Sequence, residues 1–161
     1  MLAHRNLHSF DVVPLRKLVQ NVVSSLASQF AAGAIQVGVD VPSDLTLVGQ
    51  RELLRRAVEN LMLHAADAMP HGGMLVVTAV AGARMIELEV ADTGPTMSDD
   101  QRRHTFDFMT AADRGQSGWG LAVVRRIAEM HGGSVTVANC PEGGAAFTLK
   151  IPRHDALEAA A

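Results

Sequence analysis

Three polar side chains recur at helical spacing in the stretch ENLMLHAADAMPHGG, residues 59–73. Asn60, His64 and Asp67 stand at i, i+4 and i+7, so a helix through them aligns an amide, an imidazole and a carboxylate along one face. Leu54, Ala57, Val58, Leu61, Ala65 and Ala68 make a separate apolar stripe, which gives that helix a buried side as well. Further on, DTGPTM sets Asp92 at a strand end, where a carboxylate can accept a hydrogen bond from an exocyclic amine, and Gly94 lets the backbone approach a ring closely. Gly118 and Gly120 in SGWGL then precede a helix that starts near Leu121. Free N–H groups and the positive end of the helix dipole suit a triphosphate there. Each patch also has a plain reading, as a solvated helix face, a strand-end turn and a bare helix start.

The elements that must position these groups follow from periodicity. Ser9 to Val12 reads as a short extended piece, followed by one helix carrying Leu15, Leu18, Val19, Val22, Val23, Leu26 and Phe30 and closed by Gly33. IQVGVDVP and LTLVG alternate like strands around the turn Pro42–Asp44 and are expected to form a hairpin. The polar-faced helix runs from Arg51 to Met69, ended by Pro70 and Gly72-Gly73. MLVVTAV and MIELEVAD are strands joined at Gly82, with Ile86, Leu88 and Val90 in and Glu87 and Glu89 out. Residues 93–118 show little periodicity beyond a helical piece at Ser98 to His104 and read as a functional loop region. GLAVVRRIAEMHGG is an amphipathic helix, and SVTVAN and AAFTLKIP make a closing hairpin around Pro141 to Gly144. The fold class is therefore a two-layer α/β sandwich, a mixed and mostly antiparallel sheet with helices on one face.

A chain of 161 residues, 48% hydrophobic and 19% charged, suits one domain with a real core. A formal charge of −3, with basic residues scattered rather than clustered, argues against nucleic acid as a ligand. The single Cys140 cannot form an internal disulfide, and no apolar run is long enough to span a bilayer, so no direct membrane contact is expected.

Four stretches in this order resemble the GHKL nucleotide-binding superfamily, and within it the ATP-binding domain of bacterial sensor histidine kinases. The likeness covers roughly Phe10 to Pro152. ENLMLHAADAMPHGGMLVV is similar to the family's asparagine box, DTGPTM to its first glycine box, TFDFMT to its phenylalanine box, and SGWGLAVVRRIAEMHGGSVTV to its second glycine box with the helix after it. The resemblance implies a domain over residues 10–152, with an N-terminal extension over 1–9 and a disordered tail over 153–161. It implies a Bergerat-type sandwich that binds ATP with Mg2+ and presents the γ-phosphate to a histidine on a separate dimerisation domain, in a pathway that ends on a response regulator. The nucleotide would meet Asn60, His64, Asp67, Asp92, Gly94, Met97, Phe106, Gly118, Gly120, Leu121 and Thr148, with His64 and Asn60 the candidates on the metal side and no certain catalytic residue. A cytoplasmic location is implied, with a parent protein free to be membrane-anchored. Two other readings stay open: a degenerate module that binds a partner protein, and a stand-alone serine kinase of the anti-sigma-factor type.

Several positions depart from the family pattern. His64 stands where an asparagine oxygen usually ligates magnesium, and an imidazole nitrogen is a poor substitute for that hard ion. This predicts weak magnesium dependence, with His64 acting as a metal ligand, as a protonated phosphate donor, or as a bystander at the rim. In the donor case, nucleotide binding would strengthen as pH falls. Thr96 replaces the second glycine of the first box, Gln116 the first glycine of the second, Ala145 and Ala146 a threonine near the adenine, and the lid between Phe108 and Gly118 lacks a lysine. A lid over residues 111–117 is expected to be mobile without nucleotide. Glu59, one residue from Asn60 and about 100° around the helix, should point away from the phosphates and leave no water-activating base. His131 reads as structural, Trp119 as packing, and His4 and His8 lack the context of a phosphoacceptor.

Overall fold

Alternation in MIELEVAD and AAFTLKIP builds the centre of the molecule. In the computed structural model, which describes residues 10–107 and 118–153, these segments are β5 (Met85–Asp92) and β7 (Ala145–Pro152), paired antiparallel with Val90 opposite Phe147. Together with β2 (Ile35–Asp40), β4 (Gly73–Ala81) and β6 (Ser134–Asn139) they form a five-stranded sheet in the order β2-β4-β5-β7-β6. Only β2 with β4 is parallel. One sheet face presents Leu75, Val77, Ile86, Leu88, Val90, Phe147 and Leu149 to the helices and buries them. The other carries Glu87, Glu89, Thr148 and Lys150, with Lys150 paired to Glu87 at 3.4 Å. This is the half-wet sheet that the alternation predicts.

The helical layer comprises α1 (Leu15–Ser25), α3 (Arg51–Asp67) and α5 (Gly118–Met130), each laying a buried stripe on the sheet. The first helix is interrupted rather than continuous. At Leu26 the backbone leaves helical geometry (φ −103°, ψ 5°) and α2 (Ala27–Ala32) follows. Beside the break, the Ser25 hydroxyl donates back to the Val22 carbonyl at 2.7 Å, the local competition that bends helices at serine.

The expected hairpin of IQVGVDVP and LTLVG does not form. β2 pairs parallel to β4, while β3 (Thr46–Gly49) pairs antiparallel with β1 (Asp11–Pro14) in a separate two-stranded sheet. Alternation reports which face of a strand is buried and says nothing of its partner, and the turn after β2 is held instead by Leu15 N–H donating to the Leu45 carbonyl.

His131, just past α5, locks two helices together. Its Nδ1 lies 2.7 Å from the Ile127 carbonyl and its Nε2 accepts from the Gln50 N–H at 3.0 Å, which satisfies a free donor at the start of α3. The ring is buried, and Phe10 meets it edge-on. His131 is thus structural, as its sequence context suggests. The lid, residues 111–117 within it, Gln116, His4, His8, the Trp119 side chain and the tail after Arg153 lie outside the described residues.

Candidate nucleotide site

Asp92 ends β5 on the helix-facing side of the sheet and is 4% exposed. Its Oδ1 accepts from the Gly94 N–H at 2.9 Å and the Ala145 N–H at 3.3 Å, and Oδ2 takes no hydrogen bond among the described residues. The carboxylate is therefore anchored by one oxygen and presents the other. Gly94 is required for space: a Cβ there would sit 2.7 Å from the Ala68 carbonyl oxygen, against the C-terminal end of α3. Gly144 is required twice over, by φ +91° and because a Cβ would collide with the Asp92 carbonyl oxygen.

At the other end, α5 begins at Gly118, three residues before the start expected near Leu121. Gly118, Gly120 and Leu121 thus form its first turn, whose N–H groups have no acceptor within the helix. The Leu121 side chain itself is buried in the core. Gly120 packs against Asn60, where an added Cβ would lie 3.3 Å from the Asn60 Cβ, and Asn60 Nδ2 reaches the Gly120 carbonyl at 3.4 Å. A cleft of about 660 Å³ crosses the outer face of α3 here, lined by Arg56, Asn60, Asp67 and Gly120 among others.

His64 is turned out of line. At about 100° per residue, Asp67 lies about 20° to one side of Asn60 and His64 about 40° to the other, toward the sheet. Its ring meets Phe147 edge-on at 5.1 Å, and its Nδ1 is buried without a hydrogen-bond partner among the described residues. Burial lowers its pKa below the ordinary 6.5, and the charges of Asp92 and Asp67 oppose that shift only in part. A neutral ring on the base side of the helix does not fit the expectation of a protonated phosphate donor.

The chain matches, over residues 49–155, the family described as histidine kinase-, DNA gyrase B-, and HSP90-like ATPase. It belongs to that family. Among curated relatives it is 29% identical over 148 residues to the signal transduction histidine-protein kinase BaeS of Escherichia coli, covering 88% of this chain and 31% of BaeS. It is 31% identical over 144 residues to the sensor-like histidine kinase SenX3 of Mycobacterium tuberculosis, covering 83% of this chain and 35% of that one. The chain therefore spans about a third of the length of these sensor kinases. Its fold is that of the catalytic domain of histidine kinase ThkA, with a TM-score of 0.81 at 21% identity over 90% of this chain and 96% of that one. Membership in this ATPase family implies nucleotide use.

Against that family background, the structure places Asp92, Gly94 and Asp67 toward the C-terminal end of α3, and Asn60, Gly118 and Gly120 about two turns nearer its start. Phe106 joins the Asp92 face of the sheet through its edge-on contact with Phe147 at 5.9 Å, and Met97 packs against the core. Thr148 does not belong with them. The period of two turns it to the wet face opposite Glu89, while its neighbour Phe147 shares the face of Asp92. Phe147 is fully buried beneath the His64 and Phe106 rings, and its position in the alternation marks it as inward. Asn139, at the end of β6, was invisible in the sequence. It holds the loop after Asp92 through Met97, and nothing in its local sequence points there. That loop accommodates Thr96 without strain, because Ala34 is the only non-glycine at positive φ among the described residues.

Magnesium fits this site poorly. The side chain placed between Asn60 and Asp67 is His64, which offers nitrogen and faces the sheet. Asn60 and Asp67 are two turns apart, about 10.5 Å along the axis, too far for their oxygens to share one ion at about 2.1 Å. No cluster of three His, Cys, Asp or Glu side chains able to hold a metal occurs among the described residues.

Proposed function

We propose that this chain is the catalytic domain of a sensor histidine kinase, over residues 10–152, which holds ATP and presents its γ-phosphate to a histidine on a separate dimerisation domain. The observation that carries the reading is the Oδ2 of a buried, backbone-anchored Asp92, which takes no hydrogen bond among the described residues and faces the same layer as the first turn of α5. That oxygen accepts a hydrogen bond from the exocyclic amine of adenine, Phe106 borders the base over the buried Phe147, and the N–H groups of Gly118, Gly120 and Leu121 take the phosphates beside Asn60. Phosphoryl transfer is largely positioning and charge stabilisation, so a domain can supply both and leave the nucleophile to its partner.

The absence of a placed general base among the described residues supports transfer over hydrolysis. Glu59 donates nothing to the cleft, since it is paired to Arg55 Nη1 at 2.8 Å on another face of α3. The neighbour ThkA has been seen in complex with the response regulator TrrA, and a response regulator is the downstream partner we infer here. No helix among the described residues is long and apolar enough to cross a membrane, which is consistent with the cytoplasmic location we assign.

Incubation with γ-labelled ATP tests the reading. The chain should bind the nucleotide, release it intact and acquire no label, while a histidine-bearing dimerisation domain from the same kinase acquires label only in its presence. Steady ATP hydrolysis by the chain alone, or self-labelling, would contradict it.

A further inference from the structure

We propose that Arg56 supplies the positive charge opposite the terminal phosphate of bound ATP, at a site where α3 offers no magnesium ligand set. The inference rests on the nucleotide reading above and adds a residue that no sequence box marks.

The direction of the nucleotide follows from its two ends. Asp92 and Gly94 hold the base beside Ala68, at the C-terminal end of α3. Asn60 and Gly120 mark the phosphate side about 12 Å back along the same helix. One further turn in that direction, about 6 Å on, is Arg56, which lines the same cleft as Asn60 and Gly120. A triphosphate that passes Asn60 therefore runs toward the Arg56 guanidinium.

Charge in the cleft points the same way. Asp67 lies at the base end and Arg56 at the far end, so the field along α3 drives a terminal phosphate away from the first and toward the second. The adjacent Arg55 is already occupied, paired to Glu52 at 3.3 Å and Glu59 at 2.8 Å. Arg56 makes no ion pair among the described residues. A guanidinium is also the right group, because its planar fork donates two parallel hydrogen bonds to phosphate oxygens.

Calorimetric titration with ATP and with ADP, in magnesium and in excess EDTA, reads this directly. The parent should prefer ATP over ADP by about tenfold in both conditions, the scale of a charge-assisted phosphate contact. Arg56→Ala should bind the two nucleotides about equally while keeping the parent's ADP affinity. Arg55→Ala, which makes the same charge change on a neighbouring face, should keep the ATP preference. A preference for ATP that appears only with magnesium, or that survives in Arg56→Ala, would overturn the proposal while leaving ADP binding intact. A folded parent that binds neither nucleotide would overturn the nucleotide reading and this inference with it.

Discussion

Asn139 holds both backbone polar groups of Met97. Its Oδ1 accepts from the Met97 N–H at 2.8 Å, and its Nδ2 donates to the Met97 carbonyl at 2.8 Å. Arg102, itself paired to Asp99, donates to the same carbonyl at 2.8 Å. The end of an edge strand thereby fixes the loop that leaves Asp92 and leads to α4 (Asp99–His104), which begins with a capping box between Ser98 and Gln101.

Asn139→Ala removes this clamp at an exposed position and should cost roughly 0.5–1.5 kcal/mol of stability per lost hydrogen bond. The larger effect falls on ligand, since the loop shapes the base pocket. ADP affinity should fall severalfold at saturating folded fraction, and inorganic triphosphate affinity should not change. Equal losses for both ligands would place Asn139 outside the base side.

The His64 ring makes stability depend on pH with a defined sign. Burial holds its pKa below the ordinary 6.5, so as pH falls through that value the unfolded chain takes up a proton that the folded chain refuses. Stability is full above about pH 6.5 and is lost as pH falls toward the lowered pKa of the folded ring. Urea unfolding at pH 7.5 and 5.5 should show a parent that loses more stability on acidification than His64→Asn does. Identical pH dependence in the two proteins would show that the ring is not neutral in the fold.

Replacing His131 by Ala should leave the Gln50 N–H without its acceptor at the start of α3, a loss of roughly 1–3 kcal/mol. Denaturant unfolding reads it as a lowered midpoint at unchanged slope. ADP affinity of the folded variant should equal that of the parent, because His131 stands apart from Asp92 and the α5 first turn.

The helices and strands were legible because their apolar spacing is regular: α3 from Arg51, the β4–β5 hairpin around Gly82 and the β6–β7 hairpin all lie where periodicity puts them. Pairing was not legible, since IQVGVDVP carries no mark that its partner is β4, far away in sequence, rather than the next strand. At the site, motif order singles out Asp92, Gly94, Asn60 and Gly120 as candidates. The orientation of His64 is not legible in the sequence, because 40° of helix rotation is decided by what the ring packs on, here Phe147. Thr148 failed for a simpler reason, since matching a motif position ignored the parity of its strand. Arg56 and Asn139 act through three-dimensional proximity alone.

The measurement that tests the central claim most directly is calorimetric titration of the folded chain with ADP and with GDP, repeated on Asp92→Asn. Asparagine keeps an oxygen for the Gly94 and Ala145 amides but can set an NH2 group against the exocyclic amine of adenine. The parent should bind ADP and discriminate against GDP, and the variant should stay folded while losing ADP affinity by roughly 1.5–3 kcal/mol, the worth of a charge-assisted hydrogen bond. ADP binding of equal strength in parent and variant, or no preference between ADP and GDP in the parent, would contradict an adenine site built on Asp92.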